Sequence, residues 1–190
     1  MFFQAADNAL CPEYRQRIFP EIGKLLESFG RLWGVNLVHT HCTLAEGEVM
    51  LARGNVSQPE PLSNEMRIYP ERWLSDGRAF EFTTEYTESP PPELLEKFRE
   101  LIGNYSGVLG LYYAGSYNDQ PDATIILEHT DGRKNITNVV SAACATGNTQ
   151  TAWLPDGSGA LPVQMACTLW CDTRNTRNGS VHKGTQSHQK

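Results

Sequence analysis

Apolar residues recur at helical spacing twice along the chain. Ile18, Ile22, Leu25, Phe29 and Leu32 fall at three- and four-residue steps, and Leu26 and Trp33 widen the stripe. Pro20 lies inside this pattern. Either the helix begins there, with Glu21 in its first turn, or a helix from Pro12 runs on and kinks. Gly34 supplies the expected stop. A second stripe, Leu94, Leu95, Phe98, Leu101 and Ile102, follows three prolines and Glu93, and Gly103 ends it. Both stripes read as core-facing surfaces.

Elsewhere the pattern switches to period two, which predicts strands over 35–42, 48–53, 64–70, 78–86, 107–114, 122–130, 133–140, 149–154 and 160–171. Asp131-Gly132 marks a tight hairpin, and Pro155-Asp156-Gly157-Ser158-Gly159 a longer turn. The stretch from Asn55 to Ser63, with its two prolines, reads as a mobile lid. Residues 172–190 are polar and aperiodic, so they read as a tail behind a single domain spanning 1–171. A helix and about four strands, then a helix and about five, suggests a duplicated unit, although no residue-level repeat is read. The expected fold is α+β: two amphipathic helices packed on a curved, mainly antiparallel sheet of about eight or nine strands.

Composition narrows the partners. With 39% hydrophobic and 20% charged residues, the 190-residue chain has the make-up of a globular protein with one well-buried core. A net charge of −6 and no Lys/Arg run longer than two exclude a nucleic acid or an anionic membrane surface as partner. No run approaches the roughly 18 apolar residues that span a bilayer. The first residues have neither the basic nor the long apolar region of a secretion signal. Five scattered cysteines read as reduced thiols, which points to the cytoplasm, against four Asn-x-Ser/Thr sequons at Asn55, Asn104, Asn135 and Asn178. An exposed sheet edge or the second helix would serve a homo-oligomer.

The candidate chemistry lies in Val35-Asn36-Leu37-Val38-His39-Thr40-His41. In a strand His39 and His41 share the face of Val35 and Leu37, so both imidazoles point inward, with Cα atoms about 6.5–7 Å apart. Two rings so placed can converge on one ion at about 2.0–2.1 Å, zinc being the expected metal. They can equally serve metal-free as polar or acid–base groups at a cavity mouth, or be structural histidines tied up in hydrogen bonds. Glu48 is the expected third member, catalytic or metal-ligating, if the reversal over 42–47 sets it opposite His41; a tighter turn sends it to the other face. Cys42 points away in a regular strand. Tyr69, Trp73, Tyr112 and Trp153 are candidate ligand-binding aromatics. Cys167 and Cys171 fall on one apolar strand face about 13 Å apart, too far for one zinc ion, so a zinc site with His182 and His188 is set aside. His129 is expected to be exposed at the hairpin mouth.

Two resemblances attach to these residues. Gly34, His39, His41, Glu46 and Gly54 resemble the first cupin motif, but both glycine spacings differ by one and the second motif has no counterpart. The strand Leu37-Val38-His39-Thr40-His41-Cys42-Thr43-Leu44, with Glu48 after it, resembles a set of small fungal proteins over about 20 residues, a likeness that implies a fungal source and no activity. The leading expectation is a small-molecule binding protein, or a non-redox enzyme of isomerase, lyase or cyclase type, working through His39 and His41 without a cofactor. A metal-dependent enzyme with one divalent ion, and a non-enzymatic interaction or structural protein, are the alternatives.

Overall fold

Pro12 opens helix α1 (Pro12–Ser28), where its missing N–H leaves no bond unmade. The helix runs on through Pro20 and buries Phe19, Ile22 and Leu26. It stops earlier than the glycine at position 34 implied: Gly30, at φ +84°, takes the left-handed conformation that ends it. Helix α2 (Pro92–Ile102) buries Leu94, Phe98 and Ile102 and gives way at Gly103, φ +53°. The structure, a computed structural model, describes residues 11–39, 41–115, 121, 123–146, 148–167, 172–176 and 179–183.

Ten strands follow in chain order: β1 (Trp33–Leu37), β2 (Glu48–Arg53), β3 (Val56–Pro61), β4 (Tyr69–Leu74), β5 (Ala79–Thr83), β6 (Leu109–Tyr113), β7 (Thr124–Asp131), β8 (Lys134–Ser141), β9 (Thr149–Trp153) and β10 (Val163–Cys167). They close into a barrel in the order β1-β6-β4-β5-β2-β3-β8-β7-β10-β9, and β9 returns to β1 through Val35↔Trp153. The pairs β2/β5 and β7/β10 are parallel and the other eight antiparallel. This replaces the expected α+β arrangement of helices on an open, mainly antiparallel sheet. Periodicity marks where strands lie, but closure depends on distant pairings, and it gives every barrel strand a neighbour on both sides. The segment expected as a tail contains a separate hairpin, β11 (Asp172–Thr176) with β12 (Gly179–Lys183).

The expected lid is strand β3, paired with β2 along its whole length from Arg53↔Val56 to Glu48↔Pro61. Gly54, φ +60°, makes the two-residue turn that starts it. Its prolines are tolerated because β3 pairs with β8 only at Val56 and Ser57, so Pro59 and Pro61 lie past the end of that ladder.

The barrel is duplicated. Adding five to each number of the first five strands maps every neighbouring pair onto another neighbouring pair. For example, β4/β6 maps onto β9/β1, and the parallel pair β5/β2 onto the parallel pair β10/β7. The implied two-fold passes between β1 and β6, where Val35 faces Leu111, and between β3 and β8. It makes Trp73, which pairs with Leu111, equivalent to Trp153, which pairs with Val35. Both tryptophans start the same motif, Trp73-Leu74-Ser75-Asp76-Gly77 and Trp153-Leu154-Pro155-Asp156-Gly157. The offset relating Val35 to Leu111 also relates Ile22 and Leu26 of α1 to Phe98 and Ile102 of α2. A residue-level repeat therefore exists where none was read.

Two apolar layers result. Both helices cover the outside of β1 and β6, burying Val35, Leu109 and Leu111 together with Trp73 and Trp153. The helices thus pack outside the barrel and do not roof a cavity. On the other strand face, Tyr112, Ala114, Ile126, Ala152, Leu154 and Met165 cluster within the barrel. Gly34 is needed there, because an added Cβ would run into the Tyr112 ring.

Candidate functional site

Strand β1 ends at Leu37, and Val38 makes one last backbone bond, to Val108. The chain beyond carries His39 and His41 into the interior, both fully buried. Their rings meet edge to face, with centroids 4.9 Å apart. The carbonyl of Leu37 accepts from His39 Nδ1 at 2.7 Å, which places that proton on Nδ1 and leaves Nε2 with its lone pair. Burial, aided by His41, pushes the His39 pKa down to about 3, so the ring is neutral. His41 Nδ1 meets the Thr130 hydroxyl at 3.1 Å.

Both Nε2 atoms converge on Glu128 of β7. His39 Nε2 lies 3.8 Å from its Oε2 and His41 Nε2 3.7 Å from its Oε1. Arg72 Nη2 donates to Oε1 at 3.1 Å, Asn135 Nδ2 to Oε1 at 3.3 Å, and the Thr151 hydroxyl to Oε2 at 2.7 Å. Arg72 stands on β4, across the ring of strands from β7, so this bond crosses the lumen. Its Nε pairs with Glu81 Oε2 at 3.1 Å. Burial acts most strongly on Glu128 and would raise its pKa, but Arg72 and then His41 outweigh it and hold the carboxyl well below its usual range. Burial also opposes the charge on His41, yet Glu128 outweighs it and raises that pKa. Arg72 thus stands between two buried acidic side chains, Glu81 and Glu128, in an interior where an uncompensated charge is costly.

The ligand atoms of His39, His41 and Glu128 all lie within 4.8 Å of one another. Tetrahedral ligands at about 2.0–2.2 Å from an ion stand roughly 3.4 Å apart. The two histidine–glutamate separations exceed this by less than half an ångström, each to a different carboxylate oxygen, and the widest pair of ligand atoms by up to about 1.4 Å.

The expected pair His39/His41 thus comes together, and Glu48 does not join it. The assumed hairpin from His41 to Glu48 does not form, because β1 pairs with β6 and β9 and never with β2. Glu48 instead holds Arg133 of the β7/β8 turn, at 3.1 Å for Nη1–Oε1. Cys42 is buried and turned toward the same Arg133. Among the candidate aromatics, Trp73 and Trp153 belong to the helix-side core, and Tyr69 is half-buried against Tyr86. Only Tyr112 lies in the interior cluster. His129 is exposed. Cys167 is buried and lies beside Glu128 in register, whereas Cys171, His188 and the His182 side chain lie outside the described residues. Asn135, one of the sequons, is buried and so cannot carry a glycan in the folded protein.

Glu128 and Arg72 were missed. The available signal was parity: on β7, Glu128 alternates with Ile126 and Thr130, so a carboxylate sits on a strand face that is otherwise buried. The duplication also sharpens the site. The two-fold makes Glu128 equivalent to Ala52, Arg72 to Ala152 and Glu81 to Met165, so the charged cluster draws on both halves and is not repeated. Among the described residues no helix is long and apolar enough to cross a membrane. Comparison with protein-family profiles, with curated proteins and with solved structures gives no match.

Proposed function

We propose that the protein holds one divalent cation in its barrel, bound by His39 Nε2, His41 Nε2 and the Glu128 carboxylate, and uses it in non-redox chemistry on a small molecule. One observation carries this reading: the ligand atoms of His39, His41 and Glu128 all lie within 4.8 Å of one another, three fully buried groups of zinc-ligand type converging on one point. The surroundings support the same reading. Thr130 and the Leu37 carbonyl fix the ring orientations, while Arg72, Asn135 and Thr151 orient the carboxylate, as outer partners of metal ligands do.

Two histidines and a glutamate form a zinc-type donor set that leaves one coordination position for water or substrate. An ion there would polarise a bound oxygen and supply a nucleophile near neutral pH. A second reading is favoured by the raised pKa of His41: without an ion, His41 and Glu128 form a proton-holding pair suited to acid–base work. Elemental analysis of the purified full chain separates the two. The metal reading expects one equivalent of zinc or a similar ion, lost in His39→Ala and Glu128→Gln variants that keep the wild-type circular dichroism. A metal-free wild type that takes up no zinc, cobalt or iron(II) on dialysis would contradict it.

A further inference from the structure

The histidines of this site do not stand on a strand. They lie beyond the end of β1, and the segment that follows, residues 41–47, is fastened to the start of β2 and to the turn between β7 and β8. Arg133, in the two-residue turn between β7 and β8, is the fastening point. Its Nη1 donates to Glu48 Oε1 at 3.1 Å, its Nη2 to Glu48 Oε2, and the same Nη2 to the Thr43 carbonyl at 2.9 Å. Glu48 Oε2 also accepts from the Ala45 N–H at 2.7 Å, and the Glu48 N–H returns a bond to the Ala45 carbonyl. One guanidinium–carboxylate pair therefore grips the segment at Thr43 and Ala45, two and four residues past His41.

All three proposed ligands are fully buried, so an ion can reach or leave them only when something opens. The strands around the site are closed into a ladder. The 41–47 segment carries a ligand and lies outside that ladder; Leu62 N–H holds its far end at the Gly47 carbonyl, and Arg133 and Glu48 hold it at Thr43 and Ala45, nearer His41. We propose that Arg133 and Glu48 are positioning residues of the metal site: by clamping residues 41–47 they hold His41 in place and set the rate at which the ion escapes. The inference rests on the metal reading above. It gives Glu48 a role exerted through Arg133, without contact with either histidine.

A chelator challenge on the metal-loaded full chain tests it, with zinc as the ion and a chromophoric chelator reporting release. Arg133→Gln and Glu48→Gln should each speed release roughly tenfold, as expected for loss of a bidentate charge-assisted pair together with a carbonyl bond. Arg133→Lys, whose ammonium can still donate to both the Glu48 carboxylate and the Thr43 carbonyl, should recover most of the slow release. The control is Arg53→Gln, which breaks the comparable bidentate pair Arg53–Glu60 on the β2/β3 hairpin. It should release zinc at the wild-type rate. Wild-type rates in both clamp variants would overturn the proposal, and so would equal acceleration by Arg53→Gln, which would mean general loosening. A wild type that carries no zinc to release sinks the metal reading and this proposal together. Zinc bound and released at one rate by all variants sinks only the clamp.

Discussion

Acid should unfold the metal-free protein through His39 before most other groups respond. The folded state holds this imidazole neutral, with a pKa of about 3, because burial and the neighbouring His41 oppose its charge. In the unfolded chain it titrates near 6.5. A base whose pKa is depressed by folding binds its proton only when unfolded, so stability falls as pH drops below 6.5 and keeps falling to about 3. Each unit is worth about 1.4 kcal/mol. Between pH 6 and 4.5 the loss is about 2 kcal/mol, a sizeable share of the roughly 5–15 kcal/mol that holds a domain together. His41 has the opposite sign. Its pKa is raised, so its stabilisation is complete below 6.5 and disappears only as pH rises through the folded value. Glu128, held low, loses its contribution only as pH falls below about 4.5. The window from 6 to 4.5 therefore isolates His39. Urea unfolding with a chelator present, followed by the fluorescence of the buried Trp33, Trp73 and Trp153, measures it. Wild type should lose about 2 kcal/mol more than His39→Gln across that window. Equal losses would refute the neutral, buried imidazole, and with it the lone pair assigned to Nε2.

Glu128→Gln should destabilise the metal-free protein by about 3–5 kcal/mol in urea at neutral pH, because His41 loses its buried counter-charge and Arg72 one of its two. Gly34→Ala should cost at least about 1–3 kcal/mol and shift the near-ultraviolet circular dichroism of the displaced Tyr112 ring. Trp73→Ala and Trp153→Ala should each cost about 3–5 kcal/mol and lower the melting temperature to a similar degree, since the two-fold gives them equivalent places.

The two helices, the Asp131-Gly132 hairpin and most of the strands were legible because each is a local signal: a stripe, an alternation or a turn dipeptide. Strand β3 was not, since Pro59 and Pro61 argue for a loop unless one knows that the β8 ladder stops before them. Barrel closure was hidden for the same reason as the identity of the third ligand. Both depend on which distant strand lies beside β1. The hairpin geometry that recommended Glu48 presumes that consecutive strands pair, and here β1 and β2 do not. Parity paired His39 with His41 but set both on the face of Val35, which lies under the helices; they reach Glu128 inside because β1 ends at Leu37, before either histidine. Glu128 carried the same parity signal, but a single carboxylate on a strand face reads as solvent-exposed until the barrel closes over it. The Trp-Leu-x-Asp-Gly repeat was readable throughout, and comparing the two turns by residue would have revealed the duplication.

The most direct test of the central claim is anomalous diffraction at the zinc absorption edge from crystals of the full chain grown with zinc. The account predicts one strong peak inside the barrel, about 2.0–2.2 Å from His39 Nε2, His41 Nε2 and a Glu128 carboxylate oxygen. A barrel interior without a peak, in crystals that bind zinc only at exposed side chains, would contradict it.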